Sequence, residues 1–158
     1  GTPIVGRTVL SRYYGGIKEK LRALRSHDKK NLLEISHIPY CDRVELSRQY
    51  LQSDILVCPS LWDEPWGFVV AEGMLFRNIV LASDAGGIPE TVENQKTGFL
   101  FPKGDAQALA ALLKQSIASI LSKDESIREL CNNAKKAVEE KFALQKRLGK
   151  LIEVYRKC

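Results

Sequence analysis

Two short, uninterrupted apolar runs, Ile55-Leu56-Val57-Cys58 and Ile79-Val80-Leu81-Ala82, constrain the architecture of this chain most strongly. A strand with one wet face alternates apolar and polar residues, whereas a strand without polar positions must be covered on both faces. Segments of helical spacing lie between and around these runs. Ile17, Leu21 and Leu24 recur at helical intervals, as do Leu46, Tyr50 and Leu51 within residues 45–52. Residues 66–76 read as a helix after the first apolar run. Further short strands are expected at 2–5, 32–35 and 98–101. From Asp105 the chain turns helical, with Ala108, Leu109, Leu112, Leu113 and Ile117 on one face, and further helices are expected at 126–142 and 145–156. Short strands interleaved with helices predict an α/β fold: an open, doubly wound, mostly parallel sheet followed by C-terminal helices over about 126–158.

A length of 158 residues predicts a single domain over 1–158. No run approaches the roughly 20 apolar residues needed to span a bilayer, and the first residues lack the basic flank and apolar stretch of a signal peptide. Cys41, Cys58, Cys131 and Cys158 are far apart, and the histidines are only His27 and His37. Such spacing predicts neither a zinc site nor a disulfide framework, and points to a reducing, cytoplasmic setting. The net charge of +5 admits anionic partners. Six basic residues between Lys141 and Cys158 face one acid, Glu153. They form either a solvated helix face or, with Leu144, Leu148, Leu151, Ile152 and Tyr155, a surface that lies peripherally on an anionic membrane. Nucleic acid is not an expected partner, because the basic residues are not interleaved with aromatics. An NAD-linked oxidoreductase is disfavoured by the lack of a G-x-G-x-x-G after a strand.

Ligands of open α/β sheets sit beyond the carboxyl ends of the strands. The loops to consider are therefore 6–12, 36–42, 59–67, 83–90 and 102–105. In the second half of the 59–67 loop, Pro65 is expected in the first helical turn, and Gly67 leaves the backbone open to a ligand. The amides of Gly67, Phe68 and Val69 then face outward at the positive end of a helix dipole, an arrangement that suits phosphate. Glu72 stands in a helix whose neighbours are apolar nearly all round, which predicts a buried helix. A carboxylate there must be hydrogen-bonded or paired. It is either a structural ion pair with Arg or Lys, or an acceptor for ligand hydroxyls such as those of ribose. Glu64 lies eight residues earlier, within about 12 Å if the intervening chain rises as a helix. It is either a carboxylate that reaches a sugar, with Glu72 on a ribose and a pyrophosphate between them, or a solvated loop acid or helix cap. For Asp63, solvent exposure or capping is expected.

These residues carry a resemblance. The block Pro59-Ser60-Leu61-Trp62-Asp63-Glu64-Pro65-Trp66-Gly67-Phe68-Val69-Val70-Ala71-Glu72-Gly73-Met74 resembles the C-terminal domain of the GT4 (glycogen-synthase-like) glycosyltransferases. The following blocks, V-L-A-S-D-A-G-G-I-P-E from Val80 and T-G-F-L-F-P-K-G-D from Thr97, occur in the order of that family. The Glu64–Glu72 spacing is its most specific mark, and the resemblance covers roughly residues 4–118. It implies a Rossmann-like half of a GT-B enzyme that binds a UDP-, GDP- or ADP-sugar and retains anomeric configuration without a metal or other cofactor. By the same resemblance Glu64 is the catalytic position, beside the donor sugar. Gly67, Phe68 and Val69 hold sugar and pyrophosphate, Glu72 takes the ribose hydroxyls, Ile38 lies by the nucleobase, and Gly6 joins the donor-binding positions. Gly86, Gly87 and Glu90 shape the neighbouring loop.

The sequence departs from the family in three respects. The spacing from Gly6-Arg7 to Pro59 fits the family's second strand, so a first strand with its Gly-Arg and Lys clamp is expected to lie outside the chain. Gly73 and Leu75 stand where alanine is common, Arg77 where glycine is, and Ile79 where proline is. No acceptor domain is recognisable. The expected function is thus the donor-binding part of a hexosyl transferase acting on a carbohydrate or lipid-linked acceptor, inactive without an N-terminal acceptor domain or partner subunit. The alternative is a non-catalytic module that binds nucleotide-sugars or acts as a scaffold.

Overall fold

The computed structural model of the protein describes residues 38, 41–142, 148, 152, 155 and 156. Contacts divide the chain into two units, Gly1–Cys41 and Asp42–Cys158, and the described architecture belongs to the second. The strands expected at 2–5 and 32–35, and the helix expected at 17–24, lie outside the described residues, as does most of 145–156.

Helix α1 (Arg43–Gln52) starts at Asp42, whose carboxylate accepts from the Glu45 amide at 2.8 Å and satisfies one orphan donor of the first turn. Then follow β1 (Ile55–Cys58), α2 (Phe68–Leu75), β2 (Ile79–Asp84), the single-turn α3 (Ile88–Thr91), β3 (Phe99–Pro102), α4 (Ala106–Leu121) and α5 (Glu125–Phe142). Asp105 caps α4 through the amides of Gln107 and Ala108.

The strands form a parallel sheet in the order β1-β2-β3, with Ile55 beside Ile79 and Leu81 beside Phe99. Strand side chains alternate in direction, and here both directions are apolar because both meet helices. Leu56, Cys58, Val80, Ala82 and Leu100 pack with Val70, Ala71 and Met74 of α2, and with Ile88 and Val92. Ile55, Val57, Ile79, Leu81, Phe99 and Phe101 pack on the other face, against Ala108, Leu109, Leu112 and Leu113 of α4. Helix α5 closes both layers. Its Ile127, Leu130 and Cys131 join the second cluster, and its Ala134, Ala137, Val138 and Phe142 join the first. Among the described residues the parallel α/β sheet with helices on both faces, expected from the apolar runs, is the one observed.

Local corrections concern α1 and α2. On α1 only Tyr50 of the expected apolar stripe is buried, whereas Leu51 is 70% exposed. Helix α2 begins at Phe68 rather than Trp66, so Pro65 precedes the helix instead of occupying its first turn. Nor is α2 buried all round: Val70, Ala71, Gly73 and Met74 are buried, while Phe68, Val69 and Leu75 are exposed. A helix laid on a sheet buries one stripe, and apolar composition alone does not reveal which residues lie outside it.

The departures around the end of α2 have a packing logic. A Cβ on Gly73 would fall 2.3 Å from Leu56 Cδ2, so the bulky Leu56 of β1 occupies the space that an alanine would need. The amide of Asn78 donates to Gly73 O at 3.0 Å and that of Arg77 to Met74 O at 3.1 Å. This is the double hydrogen-bond closure that places residue 77 in the left-handed region, and Arg77 has a φ of 63°. The Ile79 amide donates to Asp54 O at 2.8 Å, a bond that proline could not make. Asn78 Nδ2 donates to the carbonyls of Tyr50 and Ser53, which ties the end of α1 to the start of β2.

Candidate functional site

Three loops converge at the carboxyl ends of the strands: the one leaving β1, the one leaving β2 and the one leaving β3. The segment after β1 is held by buried serines. Ser83, fully buried at the end of β2, donates from Oγ to Ser60 O at 2.8 Å. Ser60 in turn donates from Oγ to Glu64 Oε1 at 2.9 Å, which orients that half-buried carboxylate. The backbone of Glu64 is clamped as well, because its carbonyl accepts from the Gly87 amide at 2.7 Å.

The Gly86-Gly87 turn fits against this segment with no room for side chains. A Cβ on Gly86 would lie 2.3 Å from Glu64 O, and one on Gly87 would lie 2.4 Å from Pro65 O. Gly86 also has a φ of 57°. The third loop contributes Lys103, whose Nζ donates to Asp63 Oδ1 at 2.8 Å. That hydrogen bond first, and the lysine's charge second, hold the Asp63 carboxyl below its ordinary range. Asp63, expected to be solvated or to cap a helix, is exposed yet ion-paired across the loops.

Gly67 is the residue that turns this segment into α2. It is buried, has φ 68° and ψ 57°, and caps the helix without a side-chain hydrogen bond. A larger residue would be strained there, and its Cβ would press on Ile88 Cγ1 at 3.1 Å. The first helical bonds are those from Val70 and Ala71 to Gly67 O. The amides of Phe68 and Val69 precede them at the positive end of the helix. The side chains of Phe68 and Val69 are exposed, but Gly67 is buried and the Cβ it lacks would face Ile88 and Val70. This glycine therefore serves the left-handed turn and the packing on Ile88, rather than keeping the backbone open to a ligand as the sequence suggested. Trp66 packs edge-on against Phe68 and Phe142, with centroids 4.7 and 4.5 Å apart, and so supports the approach to the helix from the rim.

Glu72 lies one turn further on and is half-buried. Its Oε2 accepts from the Tyr50 hydroxyl at 2.9 Å. Among the described residues no Lys, Arg or His forms an ion pair with it, so the structural salt bridge weighed from sequence is not the arrangement found. The rise estimated between Glu64 and Glu72 assumed a continuous helix, but only Phe68 onward is helical.

Glu64, Gly67, Phe68, Val69 and Glu72 therefore occur together on the segment that links β1 to α2 and on α2 itself. Ile38 belongs to the other unit and is exposed. Gly6 lies outside the described residues. Reading the sequence missed the hydroxyl role of Tyr50, counted there only as part of an apolar stripe, and the roles of Ser60, Ser83 and Lys103. The signal for Ser60 was its position four residues before Glu64; for the others local sequence carried none. Among the described residues no cluster of His, Cys, Asp and Glu could hold a metal ion, and no helix is long and apolar enough to cross a membrane.

Residues 4–140 match the family profile described as glycosyl transferases group 1. The alpha-maltose-1-phosphate synthase of Mycolicibacterium smegmatis is 34% identical over 105 residues, which cover 65% of this chain and 27% of that enzyme. A structure of Anabaena HepE in complex with UDP matches with a TM-score of 0.67 at 26% identity, covering 73% of this chain and 31% of HepE. A glycosyltransferase from Rickettsia africae matches with a TM-score of 0.75 at 23% identity over 92% of this chain and 37% of its own, a likeness of fold. The chain spans about a third or less of the length of these curated relatives and solved structures, or somewhat more in the last case.

Proposed function

Since this chain belongs to the glycosyl transferases of group 1, we propose that its described unit, the Rossmann-like half of a GT-B fold, binds the nucleotide-sugar donor of a glycosyl transfer. The diphosphate is received at the start of α2, by the amides of Gly67, Phe68 and Val69 that precede its first helical hydrogen bonds. Glu72 accepts hydrogen bonds from the ribose hydroxyls, and Glu64, oriented by Ser60, lies beside the donor sugar at the reacting carbon. The observation that carries this reading is the left-handed Gly67, which begins α2 between these carboxylates with no side-chain cap on its first amides.

A helix terminus offers fixed donors and a partial positive charge, so a diphosphate is bound there without reorganisation of the backbone. In transfer to an acceptor, the leaving diphosphate gains charge as the bond to the sugar breaks. Donors aimed at its oxygens then stabilise the transition state more than the ground state. The Glu64 carboxylate on the sugar side stabilises positive charge developing at the anomeric carbon. HepE has been solved with UDP, with UDP and glucose, and with UDP-glucose, which supports a nucleotide-sugar as the ligand class.

The finer reading is a retaining transfer of a hexosyl group to a carbohydrate or lipid-linked acceptor held by a separate domain or subunit. In this reading the described unit by itself binds the donor, and transfer requires the part that holds the acceptor. A peripheral contact with anionic lipid is assigned to the C-terminal segment, where Leu148, Ile152 and Tyr155 are exposed. Co-sedimentation with phosphatidylserine vesicles should be lost on removing residues 141–158; retention would refute the contact.

The central test is a thermal-shift screen against UDP, GDP, ADP and their sugars. A ligand at a hundred times its Kd stabilises by about 2.7 kcal/mol, which raises the melting temperature. One base is expected to stand out, and Glu72→Ala is expected to diminish its effect. Calorimetry that detects no nucleoside diphosphate at millimolar concentration would overturn the proposal.

A further inference from the structure

The geometry points to Tyr50 as a positioning residue for Glu72, setting the preference of the site for ribose over deoxyribose. This inference rests on the reading of Glu72 as the carboxylate that binds ribose.

Tyr50 is 6% exposed, and nearly everything about it is fixed. Its ring stacks on Phe76 with centroids 5.3 Å apart and planes at 21°. Its carbonyl accepts from Asn78 Nδ2 at 2.8 Å. The hydroxyl is thereby held at one place, where it donates to Glu72 Oε2 at 2.9 Å. Glu72 is half-buried on α2, and Oε1 has no hydrogen-bond partner among the described residues.

A glutamate side chain has three rotatable bonds, and a free one must lose that freedom when it grips a ligand. The phenol restricts it beforehand. A carboxylate has about four acceptor positions, and Tyr50 takes one, which leaves the others for a vicinal diol. The choice of donor matters too. An Arg or Lys in place of Tyr50 would pair the charge and compete for the same oxygens, whereas one neutral hydroxyl fixes orientation and leaves the anion available. Phe76 and Asn78 extend the support from α1 to the end of α2.

The test compares UDP, GDP and ADP with their 2′,3′-dideoxy counterparts by calorimetry on the 158-residue chain, unchanged and as Tyr50→Phe. Phenylalanine keeps the stacking on Phe76 and removes only the hydroxyl. Hydrogen bonds to a charged group predict a ribose preference on the order of a hundredfold in the unchanged chain. Tyr50→Phe should cut that preference about tenfold while affinity for the dideoxy ligand stays within about twofold. A merely structural role would weaken both ligands alike and leave their ratio intact.

Glu72→Gln should also collapse the ratio, and adding Tyr50→Phe to it should change nothing more. If Tyr50→Phe does not fold, Phe76→Leu, which leaves the hydroxyl but unpins the ring, should lower the ratio part-way. A ribose preference that survives whichever of these two variants folds overturns the role of Tyr50 alone. An unchanged chain with no ribose preference for any base, or with no binding, overturns the reading of Glu72 and this inference with it.

Discussion

Gly86 lies so close to Glu64 that the Cβ it lacks would fall 2.3 Å from the carbonyl oxygen of Glu64 and 2.6 Å from its nitrogen. The loop after β2 thus serves as a template for the loop after β1. Backbone meets backbone there, and neither side can give way as a flexible side chain would. The acidic segment keeps its shape because a residue 22 positions later has no side chain.

Gly86→Ala is therefore expected to displace the segment around Glu64. The new methyl must move backbone, and the residue must hold a φ of 57° that costs about 1–2 kcal/mol for an L side chain. Together with overpacking, the expected loss is about 2–4 kcal/mol in urea unfolding. Nucleoside diphosphate affinity should fall at least tenfold. Unchanged stability and affinity would mean that the two loops do not constrain each other.

Arg77→Gly is expected to stabilise the protein. Arg77 occupies the left-handed position that ends α2, where glycine adopts φ 63° without strain. Relief of about 1–2 kcal/mol is partly offset by the greater freedom of glycine in the unfolded chain, about 0.4–1 kcal/mol. The net gain should be about 0.5–1 kcal/mol, read as a higher urea midpoint at an unchanged slope. Nucleotide affinity should not move, because this turn is at the opposite end of α2 from Gly67.

Gly73→Ala and Leu56 should be coupled. The added methyl meets Leu56 Cδ2 at 2.3 Å and Val80 Cγ2 at 3.3 Å. Alanine favours the helix by about 1 kcal/mol, but overpacking costs about 1–3 kcal/mol, so the single change should destabilise by about 1 kcal/mol. In a Leu56→Ala background the clash is absent, and Gly73→Ala should there be stabilising. Simple additivity in a double-mutant cycle would contradict the packing described.

The pair of Asp63 and Lys103 predicts an acid-side pH dependence. The folded carboxyl is depressed by the lysine's hydrogen bond and then by its charge. Its contribution is therefore fully present above the unfolded value of about 3.9 and is lost as pH falls through the lower folded value. NMR titration should show Asp63 returning towards the ordinary range in Lys103→Met. Stability at pH 7 should change little, since exposed pairs in water are weak. A titration midpoint unmoved by the substitution would dissociate the pair from the shift.

Residue order alone was enough to establish the parallel sheet, the helices on both of its faces and the segment that carries Glu64 and Glu72. Continuous apolar runs and helical spacing report burial directly, since side chains alternate along a strand and return every three or four residues on a helix. The same rules misplaced the start of α2 and buried Phe68, Val69 and Leu51, because spacing says which residues share a stripe and not how wide the covered stripe is. What Glu72 touches was decided only in three dimensions. Its partner sits on α1, brought to 2.9 Å by the packing of Tyr50 on Phe76 and by the hydrogen bonds of Asn78. The anchoring of Ser60 by Ser83, the bridge from Lys103 and the glycine template likewise join residues distant in the chain. A hydrogen bond needs its atoms within a few tenths of an ångström, and that precision arises only when separate elements pack on a common sheet.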